Sequence, residues 1–329
     1  MSSFLQGKSI LITGGTGSFG RRFVKTVLAH HDPRRVAIFS RDELKQYEFQ
    51  QEIGDDRRVR FFIGDVRDRD RLLRAFDQVE IVVHAAALKQ VPAAEYNPFE
   101  AVKTNINGAQ NVLDAALDRG VSRVIALSTD KASSPINLYG ATKLVSDKLF
   151  VAANAYVGSH DTRFSVVRYG NVVGSRGSVV PLFRKLAAAG EIPITDERMT
   201  RFWITLDQGV AFVISMLEKM HGGELFVPQI PSMKVVDLAR AIAPNAKIRV
   251  TGIRPGEKLH EEMISVDDAR RTLASDGFYV VQPDAEWWAQ SGRPQGWQSA
   301  KPMPEGFRYT SDTNDNWLTV EQLKAMADA

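Results

Sequence analysis

The 329-residue chain has no cysteine, which excludes disulfide staples, thiolate metal sites and cysteine nucleophiles. Its six histidines, His30, His31, His84, His160, His221 and His260, form no metal-ligand pattern, so no metal is expected. His84 stands in an apolar run and reads as a hydrogen-bonded core residue. No apolar stretch approaches the ~20 residues of a membrane span, and the N-terminus lacks a secretory apolar core. A cytoplasmic protein without a membrane partner is therefore expected. Charge of one sign is also scarce. Lys and Arg number 42 against 39 Asp and Glu, a net charge of +3, spread along the chain. That excess is too small to argue for a nucleic-acid partner and suits an anionic small-molecule site equally. Internal repeats and low-complexity tracts are absent. The length suits two domains or one large one, and 44% hydrophobic with 25% charged residues is the balance of a globular core.

Up to about residue 170, short apolar runs alternate with longer amphipathic ones. Ser9–Thr13, Val36–Ser40, Val59–Ile63, Ile81–Ala87, Val124–Ser128 and Phe164–Arg168 are rich in Val, Ile or Phe, as strands covered on both faces should be. Between them lie helical patterns at Ser18–His30, Leu44–Ile53, Arg69–Phe76, Pro98–Gly120 and Leu138–Tyr156. The alternation predicts an α/β, Rossmann-type doubly wound parallel sheet. The pattern then loosens. Helices are expected at Val180–Ala189 and Asp207–Met220, and a strand at Leu225–Val227 that returns to the first sheet. Thr319 and Gln322 read as a capping box before a last helix over Leu323–Ala327. The expected division is a dinucleotide-binding domain of residues 1–173 plus 205–228. A smaller, interrupted C-terminal substrate domain would take residues 174–204 plus 229–329.

Gly14, Gly17 and Gly20 stand three apart, directly after the first strand and at the opening of a helix. Such a turn lets backbone approach a pyrophosphate, whose charge meets the helix N-terminus. Gly14, Thr16, Gly17, Ser18, Phe19 and Gly20 are therefore expected to cradle a dinucleotide. The second strand ends in Ser40-Arg41, where an NAD-binding chain usually offers a carboxylate to the ribose. A hydroxyl and a cation suit a 2′-phosphate, which predicts NADP. Asp65 and Val66 after the third strand are placed for the adenine, and the small Ala85 and Ala86 after the fourth let the cofactor pass. The fifth strand runs into Ser128-Thr-Asp-Lys-Ala and then Tyr139-Gly-Ala-Thr-Lys143. Tyr139 and Lys143 share a helix face. An adjacent ammonium would lower the phenol's pKa from ~10 toward use as a base at pH 7. The carboxylate pairs Asp55-Asp56, Glu261-Glu262 and Asp267-Asp268 read as solvated faces, and Trp287-Trp288 as core or subunit contact.

These motifs, with Arg168-Tyr-Gly-Asn171 and Arg254-Pro-Gly-Glu257, resemble the extended short-chain dehydrogenase/reductase superfamily over nearly the whole chain. Within it, Ser128-Thr-Asp-Lys-Ala132, Leu88-Lys-Gln-Val-Pro92 and Tyr309-Thr-Ser-Asp-Thr-Asn-Asp-Asn-Trp317 are similar to the inverting UDP-N-acetylglucosamine 4,6-dehydratases, which act at the first step of pseudaminic acid synthesis. Dehydratases that retain configuration place Asp-Glu where this chain has Asp130-Lys131. The resemblance implies a lyase acting on UDP-N-acetylglucosamine through NADP, with Thr129, Asp130, Lys131, Tyr139 and Lys143 as catalytic residues. Tyr139, helped by Lys143 and Thr129, would deprotonate the 4-hydroxyl. Lys131, as a neutral amine, would take the carbon-5 proton, and Asp130 would be the acid for the departing 6-hydroxyl, the division between these two being open. Lys89, Asn171, Arg176, Thr195, Met199, Arg201, Arg254 and Glu257 would bind the nucleotide sugar. The loop carrying Thr195 and Met199 would pack on uracil and sugar, and Arg201 would add a phosphate contact. The superfamily also implies a homo-oligomer. A retaining dehydratase or a nucleotide-sugar 4-epimerase is the alternative, against which Lys131 argues.

Overall fold

Strands that are apolar on successive residues have to be covered from both sides, and this requirement organises the molecule. The computed structural model describes residues 4–174, 179–187, 190–286, 288, 297 and 299–328. The first half runs β1 (Ser9–Thr13), α1 (Ser18–His30), β2 (Arg35–Ser40), α2 (Glu43–Ile53), β3 (Val59–Ile63), α3 (Arg69–Ala75), β4 (Ile81–His84), α4 (Val91–Tyr96), α5 (Pro98–Val102), α6 (Gly108–Asp118), β5 (Arg123–Thr129), α7 (Leu138–Ala152) and β6 (Arg163–Tyr169). Then follow β7 (Asn171–Val172), α8 (Val179–Ala187), β8 (Glu191–Ile194), β9 (Thr200–Ile204), α9 (Leu206–Lys219), β10 (Leu225–Pro228), β11 (Ser232–Lys234), α10 (Val235–Ile242) and β12 (Lys247–Val250). The chain closes with β13 (Glu262–Ile264), β14 (Thr272–Ser275), β15 (Phe278–Val281), β16 (Lys301–Pro302), β17 (Tyr309–Thr310) and α11 (Val320–Asp328).

The main sheet has the order β16-β14-β15-β10-β6-β5-β4-β1-β2-β3. From β3 to β10 every pairing is parallel. Strands β1 and β4 are buried at every residue. Helix α1 packs on α9, while α3, α6 and α7 pack in a second layer. This is the doubly wound α/β fold that the alternation predicts. Strand order reverses between β1 and β4, so their carboxyl ends open the crevice where such sheets bind ligands. The returning strand β10 pairs with β6 as expected.

A second core gathers Val173, Phe183, Ile192, Trp203, Met233, Leu238 and Leu323, between the short sheets β11-β9-β7 and β12-β8 and the helices α8, α10 and α11. The capping box of α11 forms, with Gln322 accepting from Thr319 N–H and Thr319 accepting from Gln322 N–H. Three differences from the sequence expectation stand out. Strands β14, β15 and β16, in the stretch assigned to the substrate unit, extend the main sheet by antiparallel pairing. Their apolar residues Leu273, Phe278, Val280 and Val281 join the first core. Helices α4 and α10 were not foreseen, because each is short. The single helix expected over Pro98–Gly120 is interrupted by a π-helical turn, Lys103–Asn107. That turn lets the buried Asn105 side chain bond both Leu88 N–H and Leu88 C=O, at 2.8 and 3.0 Å, and Thr142 Oγ1 at 3.0 Å, so it pins the segment after β4 to α7.

Helix α7 begins on Asn137, whose Oδ1 accepts from Gly140 N–H at 2.8 Å and whose Nδ2 donates to Gly256 C=O at 2.7 Å. Its first turn lies directly on the 3-10 turn Asp130–Ala132. A Cβ on Gly140 would sit 2.1 Å from the Lys131 carbonyl oxygen. Alanine in a helix interior ordinarily gains up to ~1 kcal/mol over glycine, but here the contact is backbone and cannot yield. Gly140→Ala is expected to destabilise the protein by about 1–3 kcal/mol, read as a lowered denaturation midpoint. A neutral or stabilising result would contradict this docking.

Candidate active site

The first cavity, about 570 Å³, lies over the carboxyl ends of β1, β2, β4 and β5. Gly14, Thr16, Gly17, Ser18, Phe19 and Gly20 form one wall, Ser40, Arg41, Asp65 and Val66 one end, Ala85 and Ala86 the floor, and Tyr139 and Lys143 the far side. Gly14 has φ +66°, and a Cβ there would meet the Ala86 backbone at 2.9 Å. Helix α1 has no side-chain cap and no acidic residue in its first turn, leaving N–H groups and the positive helix end for an anion. A flat, phosphate-bearing group fits this cradle, and bulkier residues would fill it.

Beneath it, Thr13 Oγ1 and His84 Nδ1 lie 2.8 Å apart in the core, confirming His84 as a structural histidine. Burial, aided by the Lys143 charge, lowers the His84 pKa to about 3. Lys143 is itself buried and its pKa is lowered by that burial, against the pull of Asp147. Asp147 accepts from Ser128 Oγ at 2.7 Å and pairs with Arg168 at 3.0 Å. This buried network fixes the inner face of α7 against β5 and β6.

At the outer side stand Thr129, Asp130 and Lys131. Thr129 Oγ1 donates to Asp130 Oδ1 at 2.9 Å. Lys131 Nζ lies 3.1 Å from Asp130 Oδ1 and 3.1 Å from Glu261 Oε1, and Arg201 Nε lies 3.6 Å from the same Glu261 oxygen. Burial opposes the charge on Lys131, but Asp130 and Glu261 outweigh it and hold the ammonium above its ordinary range. The neutral amine expected from the sequence is thus not the resting form, because a second carboxylate faces it. Burial raises the Asp130 pKa, against Lys131. Burial also pushes the Tyr139 phenol up to about 12, against Lys131 and a hydrogen bond with Thr129. The leading cation acting on Tyr139 is therefore Lys131, where the four-residue helical spacing had pointed to Lys143.

A second cavity of about 350 Å³ adjoins the first, and Lys89, Lys131 and Asn171 line both. Arg201, Arg254 and Glu257 complete it with residues that spacing had not singled out: Asn137, Trp203, Lys258 and Glu261. Buried polar atoms without a protein partner belong to residues lining the two cavities: Asp130 Oδ2 in the first, Asn171 Oδ1 in both, and Trp203 Nε1, Glu257 Oε2 and Glu261 Oε2 in the second. They leave hydrogen-bonding capacity for a polar ligand. Thr195 and Met199 do not line the second cavity. They are buried against each other, Thr195 Oγ1 lying 2.8 Å from Met199 Sδ. Arg201 is also turned inward: its guanidinium serves Thr200 C=O, Leu259 C=O, Glu257 and Glu261, which leaves little for a phosphate. Arg176 and Trp287 lie outside the described residues, while Trp288 is buried.

Glu261 and Glu262 are not a solvated face. Glu261 is 2% exposed. Glu262 accepts from the hydroxyls of Ser133 and Ser134 at 2.8 and 2.6 Å, holding Ser134 at φ +43°, a conformation uncommon outside glycine. No sequence signal separated this pair from Asp55-Asp56, of which Asp55 is exposed and Asp56 binds its neighbour Arg58. Asp268 binds Arg271, while Asp267 is exposed. Among the described residues no group of His, Asp and Glu is placed to hold a metal.

A glycine cradle at the first strand–helix turn, a Tyr139/Lys143 pair facing it and a second, polar cavity alongside define an extended short-chain dehydrogenase/reductase. The chain is 56% identical to a UDP-N-acetylglucosamine 4,6-dehydratase (inverting) of Campylobacter jejuni, over 96% of each chain. Residues 10–283 match the polysaccharide biosynthesis protein family. Pen from Bacillus thuringiensis superposes with a TM-score of 0.89 at 37% identity, covering 98% of this chain and 97% of that one. DesIV, a dTDP-glucose 4,6-dehydratase from Streptomyces venezuelae solved with NAD and TYD bound, superposes with a TM-score of 0.69 at 25% identity, covering 76% and 86%. The protein belongs to the polysaccharide biosynthesis protein family and, within it, to the inverting UDP-N-acetylglucosamine 4,6-dehydratases, which are hydro-lyases. Its cradle is that of a nicotinamide dinucleotide.

The His84 environment has a measurable consequence. Between its ordinary pKa of 6.5 and its folded value of about 3, the unfolded chain takes up a proton that the folded protein refuses. Stability therefore falls as pH drops through that window. His84→Gln removes this dependence. Urea denaturation at pH 6.5 and pH 4.5 should show the wild type losing more stability than the variant, and parallel losses would contradict the assignment.

Proposed function

We propose that the protein dehydrates UDP-N-acetylglucosamine at carbons 4 to 6 with inversion at carbon 5, using NADP as a retained cofactor. The product is UDP-2-acetamido-2,6-dideoxy-β-L-arabino-hex-4-ulose. The observation that carries this reading is the Asp130–Lys131 pair, placed with Tyr139 where the two cavities meet. When bound, the dinucleotide accepts an electron pair from sugar carbon 4 and returns it to carbon 6.

The protein's own groups supply the proton transfers. Tyr139 takes the 4-hydroxyl proton, with the Thr129 hydroxyl beside it. Its pKa of about 12 without ligand falls when positive charge is brought against it. The ketone formed at carbon 4 acidifies the carbon-5 hydrogen. Lys131 and Asp130 share a hydrogen bond of 3.1 Å, and one proton moved along it converts ammonium and carboxylate into amine and carboxylic acid. The amine then removes the carbon-5 proton and the acid protonates the departing 6-hydroxyl, which leaves as water. Both groups return to their resting charges, and inversion follows when carbon 5 takes a proton from solvent on its opposite face while Tyr139 returns the 4-hydroxyl proton to solvent.

Arg254, Asn171 and Glu257 are read as holding the UDP group, with Lys89 between sugar and cofactor. Ser40 and Arg41 at the end of β2, with Lys45 in α2, support NADP, since they set donors and positive charge where an NAD-selective chain carries a carboxylate. Tyr96 and Phe99, 88% and 77% exposed near α7, support a homo-oligomer. Among the described residues no helix is long and apolar enough to cross a membrane, in keeping with a cytoplasmic enzyme whose product enters pseudaminic acid synthesis.

Two experiments test the reading. Purified protein given UDP-N-acetylglucosamine and no added cofactor should form a 6-methyl, 4-keto sugar with inverted carbon 5, seen by NMR. Lys131→Ala should lower this turnover by about 10²–10⁴-fold with dinucleotide still bound, and near-normal turnover would rule out the role given to Lys131. In binding titrations Arg41→Ala should weaken NADP about tenfold or more and NAD by less than about threefold. Equal losses, or wild-type NAD affinity equal to that for NADP, would refute the cofactor preference.

A further inference from the structure

Glu261 has no role in the chemistry above, yet it is among the most buried carboxylates of the protein. It sits just before β13 and is held from several sides. Its N–H donates to Ser311 Oγ at 2.9 Å and its carbonyl accepts from Ser311 N–H at 2.8 Å. Ser311 in turn bonds Thr200 on β9 at 2.7 Å, and Thr200 bonds His260 at 2.8 Å. The side chain therefore enters the site from a fixed backbone. One oxygen, Oε1, faces Lys131 Nζ and Arg201 Nε together, while Oε2 has no protein partner. Oε2 thus keeps an acceptor available on a residue that lines the second cavity.

The charged groups around Lys131 come from four places. Asp130 belongs to its own turn, Tyr139 to α7, Arg201 to β9, and Glu261 with Lys258 to the segment before β13. Glu257 approaches Arg201 at 3.4 Å, and Lys258 Nζ donates to Ser133 C=O at 2.6 Å. Two carboxylates thus share one lysine, and only Asp130 lies in the local sequence motif. Burial works against ionising Glu261, but Lys131 and Arg201 outweigh it and keep its pKa below the ordinary range. Its negative charge is therefore present while Lys131 rests as the ammonium.

We propose that Glu261 is a positioning residue for the dehydration step: by gripping Lys131 Nζ and Arg201 Nε, it fixes the amine at the junction of the two cavities and sets the charge Lys131 carries when sugar carbon 5 is presented to it. This rests on the activity proposed above. Asp130 is the partner that exchanges a proton with Lys131, and Glu261 is the anchor that biases the exchange. Without Glu261, Lys131 gives up its proton more readily and is held in place by Asp130 alone.

The test compares wild type, Glu261→Gln and Glu261→Asp as complete, cofactor-loaded protein, by two readouts. In the first, acetic anhydride labels lysines at pH 8, and mass spectrometry scores Lys131 against the exposed Lys148. Each unit by which Lys131 loses its hold on the proton raises its labelling about tenfold, and Glu261→Gln should show a rise of about fivefold or more, with Glu261→Asp in between. In the second, the pH–rate profile of UDP-N-acetylglucosamine dehydration should have its rising limb displaced to lower pH in Glu261→Gln. A slower or less stable variant whose limb and labelling both match wild type would reduce Glu261 to a structural role and overturn the inference. If Glu261→Gln does not fold, Glu261→Asp decides by the same two readouts, and no movement in either overturns it. Wild type that forms no 6-deoxy-4-keto sugar would instead defeat the proposed activity, while the labelling result still judges Glu261.

Discussion

The site depends on one lysine held between two buried carboxylates. A lone ammonium in this wall would be costly to bury, and a lone carboxylate equally so. Asp130 and Glu261 together make the charge of Lys131 tolerable, and Lys131 with Arg201 does the same for them. The same arrangement makes Lys131 useful. In the proposed chemistry a proton relocated across the 3.1 Å to Asp130 would set an acid and a base side by side without any group being imported. Tyr139 lines the same cavity as that pair, and Asn171 and Arg254 line the cavity that Lys131 also reaches.

The fold serves this interaction by bringing distant stretches of chain to one spot. Strand β5 delivers Thr129 to Lys131, α7 delivers Tyr139, β9 delivers Arg201, and the segment before β13 delivers Glu261. Asn137 and Glu262 lock the intervening loop: the first bonds Gly140 and Gly256, the second Ser133 and Ser134. The dinucleotide side is simpler. Its glycine turn and helix are one local unit, and the rest of its wall comes from the ends of successive strands, at Ser40, Asp65 and Ala85.

That contrast explains what could be read from the chain beforehand. The sheet from β1 to β6 was legible because each strand carries its own apolar run. The residues predicted for the cofactor all line the first cavity because a glycine turn and its following helix are local structures. Glu261 was misread because, next to Glu262 and without the fold, it is one more acidic pair. Only the pairing of β13 with β17 and the approach of β9 show that it points inward. Thr195 and Met199 were expected at the ligand from the resemblance alone, and in this fold they are buried against each other. The antiparallel strands β14 to β16 escaped notice because they are short: β14 and β15 form a hairpin across Asp276-Gly277, and only β15 reaches far back, to β10.

The polypeptide passes between the two cores repeatedly: out after β6, back through α9 and β10, out again through α10, back at β13, and out once more to α11. So many connecting segments act as parallel struts. A clamshell rotation of one half against the other would strain all of them at once, so relative motion of the two cores is resisted. The walls of the two cavities, drawn from both cores, are thereby held in register with one another.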